Sequence, residues 1–477
     1  MSTTKRVAMG AVWLFGVQVL TGIVQLGYAA FTARHADQVA FGQYAIALSA
    51  TALVSMVANA GLGASASRMH STGETEVRAL LSLALLTGVG MALVLVLAAQ
   101  PWAHLWGNSD AAPAIRLLAL GVAVTPATGV QAGVLRREGR FRDFFVIALF
   151  SSTVGMAIGI LFVVRSHSAA SLVMMSVASS WLLLVGGLVA LRRRSLPMAR
   201  LRGSGAHAAF GAKAFIGSFI IYLGWSAPSI ALTRRLSVAT FGEWNRGLVI
   251  GTIPLEMLTR AIQNSIYPEF RNAAEDPQRM RRVWTDMMSI AALIVWPAVG
   301  CGVVFVPPLT LLILGPKWEV SGGMAQWMLV GTALTLVSAI LGAALESAGL
   351  FRPLWGGSVA WASIMGLSAV IVLRTGLWQA FAVGSVLAAG IGLVVQVALT
   401  APTKFLDVRR LCRHLGVSIA AAAALLIATI IIADHVDSRF VQIILCILIL
   451  GTYYGLVTWR VEDLPIKMTM RRLNARR

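Results

Sequence analysis

Arg34-His35-Ala36-Asp37-Gln38-Val39-Ala40-Phe41-Gly42-Gln43-Tyr44 returns, 200 residues on, as Arg234-Arg235-Leu236-Ser237-Val238-Ala239-Thr240-Phe241-Gly242-Glu243-Trp244. Arginine, Phe-Gly and a following aromatic residue keep the same spacing in both copies. A second pair lies 210 residues apart, Leu135-Arg136-Arg137-Glu138-Gly139-Arg140-Phe141-Arg142 and Leu345-Glu346-Ser347-Ala348-Gly349-Leu350-Phe351-Arg352, with Leu, Gly, Phe and Arg in register. Between them, Pro101 to Gly107 is loosely echoed by Pro308 to Gly315, and both stretches read as loops on the outer side. Ordered matches at nearly constant offset mark an internal duplication, which settles the architecture before any single element is assigned.

What is duplicated is a set of membrane helices. The chain of 477 residues is 58% hydrophobic and only 12% charged, and its mean hydropathy is +0.79. Soluble domains carry charge on about a quarter of their residues. Crossing hydrocarbon takes about 20 apolar residues, and about fourteen stretches qualify. The first runs from 8 to 32, the third from 79 to 100, the fourth from 113 to 134, the eighth from 239 to 266, and the last two from 415 to 433 and 439 to 458. The expected fold is an all-α polytopic membrane protein. Its lobes are residues 1–200 (helices one to six and a basic linker) and 201–402 (helices seven to twelve), followed by residues 403–477, an added helical pair and basic tail. Six helices is an even number, so both lobes enter the bilayer the same way and are related by an axis along its normal, with the substrate path between them.

The net charge of +20 would suggest nucleic acid in a soluble protein, but here it is a topology signal. With the N-terminus inside, about 29 Lys and Arg fall on cytoplasmic connections and about 8 on outer ones. Both termini are thus expected in the cytoplasm, and no nucleic-acid partner is expected. The largest inner cluster, Arg192, Arg193, Arg194, Arg200, Arg202 and Lys213, reads as a linker between lobes. The tail cations Arg471, Arg472, Arg476 and Arg477 read likewise. Three scattered cysteines, Cys301, Cys412 and Cys446, make no disulfide framework. The chain shows no GxxxxGK[ST] loop, HExxH or paired CxxC, and its seven histidines lack metal-ligand spacing. The expectation is a protein without cofactor, metal or catalytic residues, and not an enzyme.

The eighth stretch is too polar for lipid. It contains Glu243, Asn245, Arg246, Glu256, Arg260 and Asn264. A charge at the centre of a spanning helix costs about 2.5 to 3.5 kcal/mol, so these groups face a cavity or one another. On a helix Arg246, Arg260 and Asn264 fall within roughly 40° of each other, and the two arginines are about 20 Å apart along the axis. Pro254 interrupts the stretch and kinks it. One reading pairs Glu243 with Arg246 and Glu256 with Arg260 as structural ions. The other is a cationic stripe for an anionic head group: Arg246, Arg260, Asn264 and Arg34 bind it, and Glu256, or Glu243, couples an ion. Guanidinium geometry suits phosphate.

These motifs, in their order, resemble the Wzx-type polysaccharide flippases, in the superfamily of multidrug, oligosaccharidyl-lipid and polysaccharide exporters that also includes the lipid II flippases. Thr32-Ala33-Arg34 and Phe41-Gly42 are similar to the family's turn after helix one, although Ala36-Asp37-Gln38-Val39 replaces its proline loop. Gly61-Leu62-Gly63, Arg137-Glu138-Gly139-Arg140-Phe141, Phe241-Gly242-Glu243-Trp244-Asn245-Arg246, Pro254, Tyr267-Pro268 and Gly315-Pro316-Lys317-Trp318 match further family patterns. In many relatives helix seven carries an aspartate; Trp225-Ser226-Ala227-Pro228-Ser229 here has no carboxylate, so no coupling role transfers to it. The resemblance implies flipping of a polyprenyl-diphosphate-linked oligosaccharide from the inner to the outer leaflet of the bacterial plasma membrane by alternating access. The lipid-linked sugar, membrane lipid and other polysaccharide export proteins are the implied partners. The alternatives are a cation-coupled multidrug extruder on the same fold, and a polymerase or ligase acting on the lipid carrier. The extruder would need carboxylates without partnering arginines, and the enzyme a sizeable outer loop.

The parallel duplication predicts a labelling pattern. Cysteines replacing Arg34 and Arg234 should both react with an impermeant thiol reagent applied to intact cells, and cysteines replacing Arg140 and Arg352 should both stay silent. Labelling of one member of either pair alone contradicts the duplication.

Overall fold

The computed structural model describes residues 3–58, 74–192, 205–253, 255, 277–403, 405–436 and 439–460. Among these residues the regular structure is helical, with no strand. A chain in hydrocarbon must bond its own backbone, and a helix does so locally. In order the helices are α1 (Thr3–His35), α2 (Gln38–Ala58), α3 (Glu74–Leu105), α4 (Ala112–Val122), α5 (Thr125–Arg137), α6 (Phe141–Ser166), α7 (Ala169–Leu172), α8 (Met174–Leu191), α9 (Gly205–Arg235), α10 (residues 238–253), α11 (Pro277–Gly302), α12 (Val306–Leu314), α13 (Glu319–Ser347), α14 (Phe351–Thr375), α15 (Trp378–Thr400), α16 (Val408–His435) and α17 (Arg439–Arg460). A described helix overlaps each of the fourteen expected stretches. Among the described residues nine spans are long and apolar enough to cross a membrane, and two more apolar helices are shorter.

Two expectations need correction. Pro101 to Gly107 is not a loop: α3 continues through Pro101 to Leu105, and Pro308 lies inside α12. The turns come later, at Gly107 and Gly315, whose φ angles of 76° and 106° favour glycine. Proline removes one backbone hydrogen bond but leaves the rest of the ladder intact, so an apolar helix bends at it and goes on. The fourth stretch, expected as one helix, is interrupted at residues 123–124. Pro126 sits in the first turn of α5 and has no N–H to give, while the Thr125 hydroxyl takes the Gly121 carbonyl at 2.9 Å.

The helices pack into two compact units. The first holds Met1–Arg246, Ile313–Trp318 and Gly366–Ala380; the second holds Gly247–Leu312, Glu319–Met365 and Phe381–Arg477. Within the first, α6 packs on α1 and α8, while α4 and α5 bridge α2, α3 and α8. A core of Val77, Leu81, Val130, Val134 and Leu135 fills the space between α3 and α5. Within the second, α11 lies along α16 and against α13, and α17 packs on α16 and α11. Tyr453 donates its hydroxyl hydrogen to the Leu293 carbonyl at 3.2 Å, tying α17 to α11.

The apolar surface is turned outward. Leu97, Val189 and Leu312 are 79%, 71% and 71% exposed. The most hydrophobic 18-residue window of α16 is only 17% buried, against 67% for that of α11. At about 25 cal/mol per Å² such exposure would be a heavy cost in water and none in hydrocarbon. The chain is a multi-pass membrane protein.

The duplication is visible in backbone detail. Gly139 and Gly349 share a φ of 71°, and each ends a helix with the same pair of hydrogen bonds, Gly139 N to Arg136 O and Arg140 N to Leu135 O in one copy, Gly349 N to Glu346 O and Leu350 N to Leu345 O in the other. At the other repeat motif the two copies meet inside the first unit. A Cβ on Gly42 would overlap the Val238 carbonyl oxygen, and one on Gly242 would overlap that of Gln38 and lie 2.9 Å from Gly42 N. The contact is reciprocal, as a two-fold relation between the copies requires. The basic linker beyond Arg192, the Gly61-Leu62-Gly63 motif, Pro254 and the C-terminal tail lie outside the described residues.

Gly42→Ala and Gly242→Ala should each cost on the order of 1 to 3 kcal/mol, because the clash is with backbone that cannot rotate away. Gly129, in α5 with open space around it, is the control: Gly129→Ala should hold or raise stability. Thermal denaturation of purified protein, followed by loss of the monodisperse chromatographic peak, reads the difference.

Candidate functional site

Around the glycine contact each element is positioned by the same devices in both copies. Asp37 caps α2, its carboxylate accepting from Ala40 N at 2.7 Å. Ser237 does the same for α10, accepting from Thr240 N at 3.0 Å. Such caps satisfy backbone donors that the first turn leaves open. Behind them, Phe41 packs edge-on to Trp318 with ring centroids 5.2 Å apart, and Phe241 lies 5.1 Å from Trp106. Trp318 donates its indole N–H to the Ala33 carbonyl at 2.9 Å. Lys317 reaches the Ala36 carbonyl at 2.6 Å, and Gln38 donates to the Lys317 carbonyl at 2.8 Å.

The repeat arginines are seated crosswise. Arg234 donates from Nε to Leu105 O at 2.8 Å and from Nη2 to His104 O at 3.2 Å, covering the open carbonyls at the end of α3. A Cβ on Gly107 would lie 3.4 Å from Arg234 Cγ, and one on Gly315 3.7 Å from Arg34 Cγ. Each arginine therefore rests on the glycine turn that follows a helix of the other copy. Arg34 is exposed, and its position at a helix end is one the duplication itself accounts for.

Arg246 is different. It is only 5% exposed, its Cζ lies 4.3 Å above the Phe41 ring and 5.9 Å from that of Tyr44, and Nη2 donates to Asn245 Oδ1 at 2.6 Å. Nε has no hydrogen-bond partner among the described residues. Among the described residues no carboxylate pairs with it. Glu243, also buried at 6% exposure, accepts from Gln38 Nε2 at 2.8 Å. Burying a guanidinium costs several kcal/mol, and a cation–π contact returns about 0.5 to 2 kcal/mol. The bond to Asn245 returns a further part, and among the described residues no counter-charge adds to it.

The duplication supplies the comparison. One repeat earlier, the positions of Glu243, Asn245 and Arg246 are held by Gln43, Ala45 and Ile46, and Ala45 and Ile46 are fully buried hydrophobic residues. The scaffold is therefore built equally well without an ion there. What the second copy adds is a dehydrated guanidinium with a free donor, a group suited to bidentate bonding of phosphate oxygens. The other members of the expected stripe, Glu256, Arg260 and Asn264, lie outside the described residues, as does Tyr267-Pro268. Phe41 and Tyr44 were legible only as repeat markers. Their place beneath Arg246 joins residues some 200 positions apart, which no local pattern reports.

The model of a family described as polysaccharide biosynthesis protein matches residues 32–322. The succinoglycan biosynthesis transport protein ExoT of Rhizobium meliloti is 24% identical over 290 residues, 58% of this chain and 56% of that one. The lipopolysaccharide biosynthesis protein WzxC of Escherichia coli is 25% identical over 333 residues, 67% and 65% of the two chains. The matched region thus spans between half and two thirds of these relatives. Among solved structures, the lipid II flippase MurJ in an inward closed conformation superposes with a TM-score of 0.71 at 9% identity, over 94% of this chain and 98% of that one. An inward-facing multidrug resistance transporter of the MATE family gives 0.59 at 14% identity, over 83% and 99%. These two likenesses establish the fold.

If Arg246 serves a ligand and not the fold, Arg246→Met should fold at wild-type abundance with an equal or higher thermal midpoint, since it removes a buried unpaired charge at similar volume. Phe41→Leu, which leaves the charge and removes the ring, should lower stability by about 0.5 to 2 kcal/mol. Loss of folded protein in Arg246→Met would make the arginine structural.

Proposed function

Because the chain belongs to the polysaccharide biosynthesis protein family, we propose that it flips a polyprenyl-diphosphate-linked oligosaccharide from the inner to the outer leaflet of the bacterial plasma membrane, with both termini cytoplasmic. The observation that carries this reading is Arg246, buried and, among the described residues, with an unbonded Nε and without a carboxylate, where the first repeat has isoleucine. A diphosphate brings roughly two negative charges through hydrocarbon and needs a cation where water is scarce. A drug extruder on the same fold would carry cations past a guanidinium that repels them.

In this reading Arg260 and Asn264 receive the diphosphate from the inner side and Arg246 from the outer side, as the protein alternates access. Glu256 is the group that takes up and releases a proton. Glu243, held by Gln38, sets the position of α10 against α2. No bond of the substrate is made or broken. Charged hydrogen bonds are worth about 1.5 to 3 kcal/mol each.

In vesicles loaded with a lipid-linked oligosaccharide, Arg246→Ala and Arg260→Ala should each lower flipping roughly ten- to a hundredfold at normal abundance, and lysine at either position should keep part of it by retaining charge without the planar fork. Glu256→Gln should flatten the dependence of the rate on pH. Wild-type flipping by both abundant arginine variants overturns the proposal.

A further inference from the structure

A second cationic site lies in the second unit, on residues that the flipping mechanism does not use. α11 and α16 begin side by side and enclose a cavity of about 530 Å³. Gln278, Arg281, Arg282 and Thr285 line it from α11, at the i, i+3, i+4 and i+7 spacing that puts them on one face. Arg410 and Asp407 line it from α16 and Asp286 from α11, so three guanidiniums face two carboxylates.

Both carboxylates are engaged, one within α16 and one between the two helices. Asp407 caps α16, accepting from Arg410 N at 3.2 Å, and its own N–H donates to Thr285 Oγ1 at 3.0 Å. Asp286 pairs with Arg410 Nη2 at 3.0 Å. Among the described residues Arg281 and Arg282 have no ion pair, and the buried Nε of Arg281 has no hydrogen-bond partner. The cavity thus has two guanidiniums that no carboxylate pairs with among the described residues.

What lies next to the cavity identifies the class of anion. Two turns along α16 from Arg410, and on nearly the same face, Val417 is 51% exposed, and Ile427, further along and about 80° round the helix from Val417, is 58% exposed. An apolar, uncovered helix surface begins where the cationic cavity ends. A free phosphate would use only the cavity. An amphiphile would use both, its phosphate between the arginines and its chain along α16.

We propose that Arg281, Arg282 and Arg410 form a binding site for the phosphate of a membrane lipid, in the leaflet at which α11 and α16 begin. On the topology assigned above, that leaflet is the cytoplasmic one. The site stands whether or not the chain is a flippase; only its assignment to the polyprenyl carrier rests on that reading.

The test is native mass spectrometry of the full chain in mild detergent, titrated separately with undecaprenyl diphosphate, phosphatidylglycerol and uncharged diacylglycerol. Wild type should retain at least one of the two phosphate lipids and not diacylglycerol. Arg281→Gln and Arg282→Gln should each weaken that retention roughly tenfold, and the double variant more. Arg352→Ala, which removes an exposed cation elsewhere, should leave it unchanged. Preference for undecaprenyl diphosphate marks the site as the substrate's landing place, and equal or greater affinity for phosphatidylglycerol marks it as a site for bulk anionic lipid; either supports a lipid-phosphate site. Retention of diacylglycerol as tightly as the phosphate lipids, unchanged binding in the single glutamine variants, or an equal loss in Arg352→Ala overturns it. A flipping defect without a binding defect in these variants would count against the site while leaving the flippase proposal intact.

Discussion

The first unit depends on an approach of two helices so close that no side chain fits between them. Where α2 meets α10, Gly42 and Gly242 each face the other copy's backbone carbonyl, at Val238 and Gln38. That contact fixes the relation between the repeats. From it follow the crossing of Arg234 onto the end of α3, the seating of Phe41 on Trp318 and Phe241 on Trp106, and the matched caps of α2 and α10. Dispersion between tightly packed atoms replaces the hydrophobic drive that lipid cannot supply, so small residues decide where membrane helices may touch.

A duplicated scaffold also separates what the fold needs from what it does not. Ile46 and Arg246 sit at matching places on matching helices, and both are buried. Since one copy folds around isoleucine, the cost of enclosing a guanidinium in the other is not a cost of building the helix. The same logic applies to Gln43 and Glu243. Desolvation makes the buried Arg246 guanidinium expensive, and the low dielectric that penalises an unpaired charge strengthens a paired one.

The second unit handles its charges otherwise. At the start of α11 and α16 the Asp286 carboxylate serves the joint between the helices and that of Asp407 caps α16, and the surplus is positive and partly open. A partly open surplus is cheap to keep and suits anionic head groups; around the buried Arg246 it is costly to keep. Burial decides what an arginine means.

Composition and periodicity were enough for the all-helical class, for most of the apolar helices and for the duplication, because each rests on residues near one another in the chain: apolar length and recurring Phe-Gly and Leu-Gly-Phe-Arg patterns. They misplaced the ends of α3 and missed α12, since Pro101 and Pro308 look the same in a loop as in a bent helix until neighbours show whether the ladder resumes. Arg246 stood out by polarity alone. Its surroundings did not: that Phe41 lies under the guanidinium, that Glu243 bonds Gln38, and that Lys317 and Trp318 lock the turn after α1 are matters of which distant segments share a volume. Local sequence sets how a segment can be structured, through backbone sterics and hydrophobic spacing. Which charge is left without a counter-ion depends on packing between segments hundreds of residues apart, and only the folded chain decides that.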